Sequence, residues 1–435
     1  MSTSTNLVTS VGAFSAEAFA LALESHKGLP SWWLERKEAA YKQFTSLAYP
    51  SATDESWRFS TRSGFKLDGF LATNSPATTA AKDIGLPGKP ALTFVNNSLT
   101  GSNPVDQALT QKGLVVSTLK QALKTHSEVL KAHFMAQDQR LGSAKFAALH
   151  TAFINDGAFI YVPKGMELKT PITIVHSASG ANTAVFPHTL VITEENAQVS
   201  VIDYFVSDST SAHFCCGAND LYAGHGSKLN YVGLQNWSTL DLCLQMNSTV
   251  VKRDARAQSL NLHLGGHQAR HESLSQLQAP GAFSEMLALT IASGEREFDQ
   301  RTLQIHQAPN TKSDLLYKNV LQDKARTIFS GLIVVDQDAQ KTDAYQSNRN
   351  LMLSDSAEAN SLPGLEIQAN DVRCTHGATT SRVDPEELFY LQARCIPEAK
   401  AHELLVFGFF EEVLNRLEDD ELHAALRTII QSNFN

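Results

Sequence analysis

Hydrophobic residues in the first part of the chain recur mainly at helical spacing. Trp33 and Phe44 belong to one such run, which ends at Pro50 because the residue before a proline is disfavoured in the α region. Further along, short strand-like runs alternate with Ala-rich helical stretches. We therefore predict an N-terminal helical region over residues 1–85 and a mixed α/β lead-in over 86–150.

From about residue 150 to 380, short strand-like runs replace the helical pattern. They recur with polar turns about 27 to 32 residues apart, with one gap of about 43, and a period in this range is typical of a solenoid or a propeller. The turns are placed at Glu195-Asn196-Ala197, His225-Gly226-Ser227, Asp254-Ala255-Arg256, Pro280-Gly281-Ala282, Asp323-Lys324-Ala325 and Asp355-Ser356-Ala357.

One or two strands per unit fit a parallel β-helix, in which each coil buries its inward side chains on its neighbours. A propeller blade needs four strands and fits less well, whereas a jelly roll would give similar strands without the period. We predict a mainly β protein with a right-handed parallel β-helix core over residues 151–383. Helical domains flank that core on both sides in sequence.

The last fifty or so residues return to a helical pattern with clear start signals. Asp384 is a candidate N-cap before Pro385, and Pro397 and Asp419 begin two further helices. Apolar residues then recur along one broad face, so a C-terminal helical domain is predicted over residues 384–435.

Composition narrows the class of protein. The 435 residues are 43% apolar and carry a formal net charge of -9, which argues against a nucleic-acid partner or an anionic membrane partner. Five scattered cysteines form no disulfide framework, and no run reaches the length of a membrane span. The N-terminal stretch resembles neither a signal peptide nor a transit peptide, and we predict a cytoplasmic protein.

Most candidate chemical motifs have an ordinary structural explanation. The chain has no P-loop, and Gly224–Lys228 lacks its spacing and is interpreted as a turn. His263, His267 and His271 are four residues apart, but glycines separate the first two, so surface and turn histidines are expected. Adjacent Cys215 and Cys216 would point to opposite faces of a strand, and they and Cys243 are expected to act as small apolar residues.

Cys374 and His376 form the pair with the clearest chemical potential. Two residues apart on a strand, they would lie on one face, and thiolate and imidazole are ligands that iron and iron–sulfur species accept. Two groups cannot complete a four-coordinate site. Either the pair is inert, or a second chain supplies the remaining ligands.

The chain resembles the SufB/SufD family of iron–sulfur cluster assembly proteins. The similarity is densest over the last 120 or so residues and extends to Glu55-Ser56-Trp57-Arg58 and to the start of the β core. The matching segments are Asp156–Pro163, Tyr317–Val320, Lys341–Gln346, Asn348–Ser354, Leu365–Ile367, Asp371–Thr379, Leu388–Leu391 and Gly408-Phe409.

Within that family the chain is more similar to the SufD branch than to the SufB branch. Ala357 stands where SufB has a cysteine regarded as a cluster ligand, and His376-Gly377 stands where SufB has His-Glu. The N-terminal cysteine-rich motif of SufB is also missing. One departure is Cys395, where the family usually has a helix-ending glycine, so a different cap or modest strain is expected there.

The resemblance implies a scaffold subunit without an enzymatic activity of its own. It implies pairing with SufB through the β-helix bodies, docking of the SufC ATPase on the C-terminal helices, and a nascent iron–sulfur cluster shared with SufB, with none bound stably alone. Isolated chains could pair as a homodimer. A self-sufficient cluster scaffold and, less favoured, a β-helix carbohydrate-active enzyme are the alternatives.

Two sets of site residues follow from this interpretation. His376 is the principal candidate ligand for iron, with Cys374 as a second, because neutral imidazole needs no deprotonation before it binds metal. The apolar residues of the C-terminal helices are candidates for SufC docking, with packing on the β body as the alternative. They are Leu404, Leu405, Phe409 and Val413.

Overall fold

A computed structural model of the protein describes residues 14–51, 53–61, 65, 67–73 and 85–433. It is mainly β, with 41% of residues in strands, and its centre is a β-solenoid of about eight turns with helical regions at both ends of the chain. Residues 1–13, part of the stretch weighed above as a targeting signal, lie outside the described residues.

The N-terminal part of the described chain combines helices with short strands. Its helices are α1 (Ala16–Glu24), α2 (Ser31–Ser46), α3 (Gln107–Gln111), α4 (Leu119–Thr125), α5 (Ser127–His133) and α6 (Ala144–Phe153). Its strands are β1 (Leu71–Ala72), β2 (Leu92–Val95), β3 (Ser98–Ser102) and β4 (Val115–Thr118).

Strands of mostly nine to eleven residues make up the solenoid. They are β5 (Ala158–Val162), β6 (Ile172–Ala178), β7 (Thr183–Val185), β8 (His188–Thr193), β9 (Gln198–Ser207), β10 (Phe214–Ala223), β11 (Lys228–Asn236), β12 (Leu242–Val251), β13 (Arg256–His263), β14 (Gln268–Leu277), β15 (Phe283–Ala292), β16 (Glu297–His306), β17 (Lys312–Leu321), β18 (Arg326–Val335), β19 (Thr342–Met352), β20 (Glu358–Ile367) and β21 (Val372–Arg382).

From β8 onward, consecutive solenoid strands alternate between two sheets, which we call the even-numbered and the odd-numbered sheet after these strands. One sheet runs β20-β18-β16-β14-β12-β10-β8-β5-β4 and the other β21-β19-β17-β15-β13-β11-β9-β6-β2-β3. Neighbours from β5 and β6 onward pair in parallel and in register, as in Ala218↔Met246 and Met246↔Glu272. The predicted parallel β-helix is therefore confirmed, and the jelly-roll alternative, which requires antiparallel strands, is wrong.

Polar residues in left-handed backbone conformations form the corners between coils. Asn196, Asp254 and Asp323 have φ angles of 55°, 54° and 53°, and Gly226 and Gly281 occupy the same region. Asn, Asp and Gly tolerate positive φ better than other residues, which explains why the sequence repeats these residue types. The turn predicted at 224–228 is found between β10 and β11.

The N-terminal helices cover the outer face of the even-numbered sheet. Trp33 of α2 and Phe146 of α6 share one apolar cluster with Phe214, Cys216 and Leu244 of the sheet. Every residue from Lys145 to Phe153 is buried. The sheet is thus apolar on its outer face here, because helices rather than solvent cover it.

Three C-terminal helices follow the solenoid: α7 (Pro385–Gln392), α8 (Glu398–Leu414) and α9 (Asp420–Ser432). Asp384 and Asp419 cap α7 and α9 by accepting hydrogen bonds from Glu386 N–H and Leu422 N–H, as predicted from the sequence. Val406 and Phe410 of α8 pack on the odd-numbered sheet. The two helical regions therefore lie on opposite sheets of the solenoid.

Candidate functional site

The predicted pair Cys374 and His376 lies on β21, the last strand of the odd-numbered sheet. In parallel register, Cys374 lies beside Ala344 and His376 beside Gln346 of β19. Alternation along the strand puts both side chains on one face, as expected. Among the described strands none pairs with the outer edge of β21, so the two side chains lie on the terminal coil.

Cys374 and His376 differ in exposure and hence in chemistry. Cys374 is half-buried against Val372 and an apolar cluster around Ile333 and Val335, whereas His376 is exposed. Burial raises the pKa of the Cys374 thiol, and the backbone N–H of Ala344 opposes that shift only partly. The thiol is therefore a poor ligand until a metal displaces its proton.

The pair is chemically incomplete within this chain. In the described residues, no group of three or more His, Cys, Asp or Glu side chains has the arrangement to hold a metal ion. A tetrahedral site built on Cys374 and His376 would need donors from outside the described residues. The geometry supplies an accessible imidazole and a neighbouring thiol, and nothing more.

The prediction for three other histidines was partly wrong. His263 on β13 and His271 on β14 are buried and stacked inside the solenoid, with ring centroids 3.7 Å apart, and only His267 is exposed in a turn. No local sequence pattern indicates this burial, because His263 and His271 meet across the coil. Burial keeps both rings neutral by lowering their pKa values, to about 3 for His271.

Both adjacent cysteines of β10 are buried, on opposite faces of the sheet. Cys215 points into the solenoid beside Cys243 of β12, and Cys216 contacts the N-terminal helices. Burial raises the pKa of all three thiols, so they behave as small apolar residues, as expected.

The four residues predicted to dock the ATPase have very different surroundings. Val413 is fully buried, Leu405 and Phe409 are half-buried, and Leu404 is 40% exposed. The ammonium group of Lys318 donates to the Phe409 carbonyl at 2.7 Å and lies over its ring. Phe409 and Val413 thus help to hold α8 on the β body, the alternative weighed above.

The most exposed aromatic residues of the C-terminal helices were not among the predicted site residues. Phe389 and Tyr390 of α7 are 70% and 56% exposed, and no residue of α7 is buried. Arg394 lies 3.4 Å above the Tyr390 ring. The sequence signal was present in Leu388–Leu391, where two aromatic residues lie between two partly buried leucines.

Comparisons with known proteins match nearly the whole chain. Residues 26–174 match the family profile described as the SufBD protein N-terminal region, and residues 175–409 match the SUF system FeS cluster assembly, SufBD core domain. The chain belongs to the SufBD family. Its place in that family is that of a SufD-type protein of iron–sulfur cluster assembly.

Individual relatives agree with this assignment. The iron–sulfur cluster assembly protein SufD of Bacillus subtilis is 26% identical over 92% of this chain and 94% of its own length. The SufD protein of Escherichia coli is 32% identical over 60% of this chain and 63% of its own length. A SufBD family protein of Synechocystis is 28% identical over 91% of this chain and 90% of its own length.

Within the described residues, no helix is both long enough and apolar enough to cross a bilayer.

Proposed function

We propose that this chain is a non-catalytic scaffold subunit that pairs with SufB, docks the SufC ATPase, and shares a nascent iron–sulfur cluster with SufB. The observation that carries the proposal is the position of His376 and Cys374 on the terminal coil. An accessible but incomplete donor pair there suits a site that a second chain completes. The cluster is the cargo of such a complex rather than a resident cofactor.

The terminal coil also has the hydrogen-bonding groups for strand pairing. Within the described residues, the outer edges of β20 and β21 have no paired strand, whereas each inner solenoid strand from β8 to β19 has neighbours on both sides. Unpaired strand edges readily accept another strand, and parallel extension or an antiparallel partner would both satisfy them. We therefore assign SufB pairing to this edge, so that His376 would lie at the interface between the two chains.

His376 is the principal cluster ligand in this proposal, and Cys374 contributes less. The imidazole is exposed, whereas the half-buried thiol has a raised pKa. Metal binding must remove the proton of the thiol, which lowers its affinity near neutral pH. Asymmetry between the two side chains is therefore expected in mutants.

Reconstitution with SufB and SufC tests the assignment. The wild-type mixture should elute as one complex in size-exclusion chromatography, and His376→Ala should assemble equally well but form cluster at least tenfold more slowly. Cys374→Ser should have a smaller effect. His267→Ala, which alters an exposed turn histidine away from the terminal coil, is the matched control.

Four results would count against the proposal or one of its parts. Separate elution of the three proteins would reject the scaffold complex. Normal cluster formation by His376→Ala would reject the ligand assignment, and dissociation of that variant complex would make the residue structural. A visible absorption band after anaerobic reconstitution of this chain alone would instead favour a self-sufficient scaffold.

A further inference from the structure

Two kinds of side-chain contact attach the last strand, β21, to the coil beneath it. Alternate residues of β21 face the solenoid interior, and they are Cys374, His376, Ala378 and Thr380. At one end, Cys374 packs in the apolar cluster around Ile333 and Val335. At the other end, Thr380 Oγ1 accepts a hydrogen bond from the side-chain amide of Asn350 at 3.2 Å. His376 lies between these two attachments.

Asn350 of β19 joins the terminal coil to the coil beneath it through buried hydrogen bonds. Its side chain is 2% exposed. Besides Thr380 Oγ1, its Nδ2 lies 3.2 Å from Ser361 Oγ and 3.4 Å from the Thr379 carbonyl oxygen. It also lies 3.1 Å from Asn348 Oδ1, to which Ser361 Oγ donates at 2.6 Å. One side-chain amide thus contacts both β20 and β21.

The direction of the Asn350 amide is fixed from the coil below. Asn319, its in-register neighbour on β17, donates through Nδ2 to Asn350 Oδ1 at 2.9 Å. Asn319 and Gln300 of β16 also exchange a pair of amide hydrogen bonds, at 3.1 and 3.2 Å, and both side chains are fully buried. Because the oxygen of Asn350 already accepts from below, its N–H hydrogens point to Asn348 and to the terminal coil.

The edge position of β21 makes these contacts more important than they are in an inner strand. Within the described residues β21 pairs with β19 alone in its sheet, whereas β19 pairs on both sides. A strand with a backbone ladder on one side opens locally more easily, so its buried side-chain bonds decide how firmly it is held. A functional side chain has to stay within about 0.5 Å of its productive position. The position of His376 therefore depends on the attachment of both ends of β21.

We propose that Asn350 is a positioning residue for His376. Its amide attaches the Thr380 end of β21, as the apolar cluster attaches the Cys374 end, and His376 is thereby held in place on the terminal coil. Asn350 itself is buried and acts only through the strands that it joins. This inference rests on the proposed role of His376 as a cluster ligand, whereas the attachment of β21 can be measured without any cluster.

Hydrogen exchange of the isolated full chain tests the attachment. Asn350→Ala removes the donors to β20 and β21. The backbone amides of residues 372–382 should then exchange about tenfold faster than in the wild type, because local opening no longer breaks these side-chain bonds. Amides of β9 to β12 should exchange as before. Unchanged exchange of residues 372–382 would overturn the proposal.

Two further variants separate local attachment from general stability. Asn247→Ala removes another interior amide, which bonds Asn219 and Ser273, and it should leave exchange of residues 372–382 unchanged. Equal acceleration in this control would overturn the proposal. Thr380→Val removes only the acceptor, at an exposed position, and should speed exchange in the same segment by about threefold. If Asn350→Ala does not fold, Thr380→Val decides, and unchanged exchange would then contradict the attachment.

Cluster formation tests the consequence for His376. With SufB and SufC in excess, and complete pairing verified by size-exclusion chromatography, Asn350→Ala should form cluster about fivefold more slowly than the wild type although it retains His376. A role in stability alone would restore the full rate once pairing is complete. A normal rate for Asn350→Ala beside a slow His376→Ala would overturn the positioning role, whereas normal rates for both variants would reject the ligand assignment on which it rests.

Discussion

The two helical layers of this protein are held on the solenoid in different ways. The N-terminal layer is attached by fully buried groups: Arg270 of β14 donates to the Ser56 and Leu141 carbonyls and lies 3.9 Å from the Trp57 ring. The C-terminal layer is attached at its margin by partly exposed ion pairs, such as Arg416 with Glu285 at 2.7 Å.

The exposure of the helices follows this difference. In the N-terminal layer, α6 is buried along nearly its whole length, whereas α7 in the C-terminal layer has no buried residue. The first layer thus behaves as part of the core, whereas the second includes a helix, α7, that stays exposed. Helices that flank the same solenoid can therefore differ in how far they are buried.

The largest expected effect is the loss of the Arg270 side chain. Its guanidinium bonds Glu272 at 2.7 Å and also pairs with Asp299, and all three side chains are at most 3% exposed. Arg270→Ala leaves the buried carboxylate of Glu272 without its ion pair and Asp299 with Arg301 alone, and it should lower the free energy of unfolding by about 3–5 kcal/mol. Urea titration of wild type and variant measures this.

Arg416→Ala is the matched change in the C-terminal layer. Arg416 also pairs with two carboxylates, Glu285 and Asp314, but its side chain is 27% exposed. In the variant, water can hydrate the two carboxylates in place of Arg416. The expected loss in the free energy of unfolding is therefore only about 1 kcal/mol. Equal losses for the two variants would remove the distinction between the layers.

A pH effect from the solenoid interior must be separated from that comparison. Burial raises the pKa of Asp203 to about 7, although Thr189 and Tyr231 donate hydrogen bonds to its carboxylate. The folded state therefore binds this proton more tightly than the unfolded state, where aspartate titrates near about 3.9.

The sign of the Asp203 effect follows from that difference. The stabilisation that protonated Asp203 adds to the free energy of unfolding is fully present below about pH 4. It is lost as pH rises to about 7, by at most about 1.4 kcal/mol per pH unit. Asp203→Asn should lack this slope when unfolding is titrated at about pH 4, about pH 5.5 and about pH 7. An unchanged slope would show that another group is responsible.

The exposed aromatic residues of α7 allow a sharper test of SufC docking than truncation does. Deleting the residues after Pro385 should abolish SufC binding and spare SufB pairing, but it also uncovers Leu260 and Leu289 of the sheet. Replacing Phe389 and Tyr390 together with serine removes only exposed apolar surface, and aromatic anchors often dominate an interface.

We expect that double variant to bind SufC at least tenfold more weakly, with less than about 0.5 kcal/mol change in stability. Surface-immobilised binding assays with purified SufC measure the affinity. Leu71→Ser, at a 55% exposed position near the N-terminal layer, is the control and should bind normally. Wild-type affinity in the double variant would place docking elsewhere.

Local signals made the solenoid and the helix starts predictable from the sequence. Several corners repeat Asn, Asp or Gly at positive φ, although Lys341 takes this conformation at another corner. Asp384 and Asp419 each cap the helix that follows them directly in sequence. The contacts that decide exposure were not predictable, since they join residues far apart in the chain. For this reason the surface position predicted for His271 was wrong, and the full burial of Val413 was not foreseen.

The smallest expected effect concerns the end of α7. Cys395 has a φ of 62°, so a cysteine occupies the left-handed position where the family usually has glycine. Its N–H still donates to the Gln392 carbonyl at 2.9 Å, which shows that the turn is kept rather than replaced by another cap. The strain foreseen from the sequence is therefore present in the backbone.

Cys395→Gly should relieve this strain. A non-glycine residue in the left-handed region costs about 1–2 kcal/mol. Glycine offsets about 0.5–1 kcal/mol of the gain, because it makes the unfolded chain more flexible and so favours unfolding. The net gain in unfolding free energy should be about 0.5–1 kcal/mol. Cys395→Ala keeps the strain and removes only the thiol, so it should leave stability unchanged. If alanine stabilises the protein as much as glycine does, the exposed thiol and not the backbone is the source of the cost.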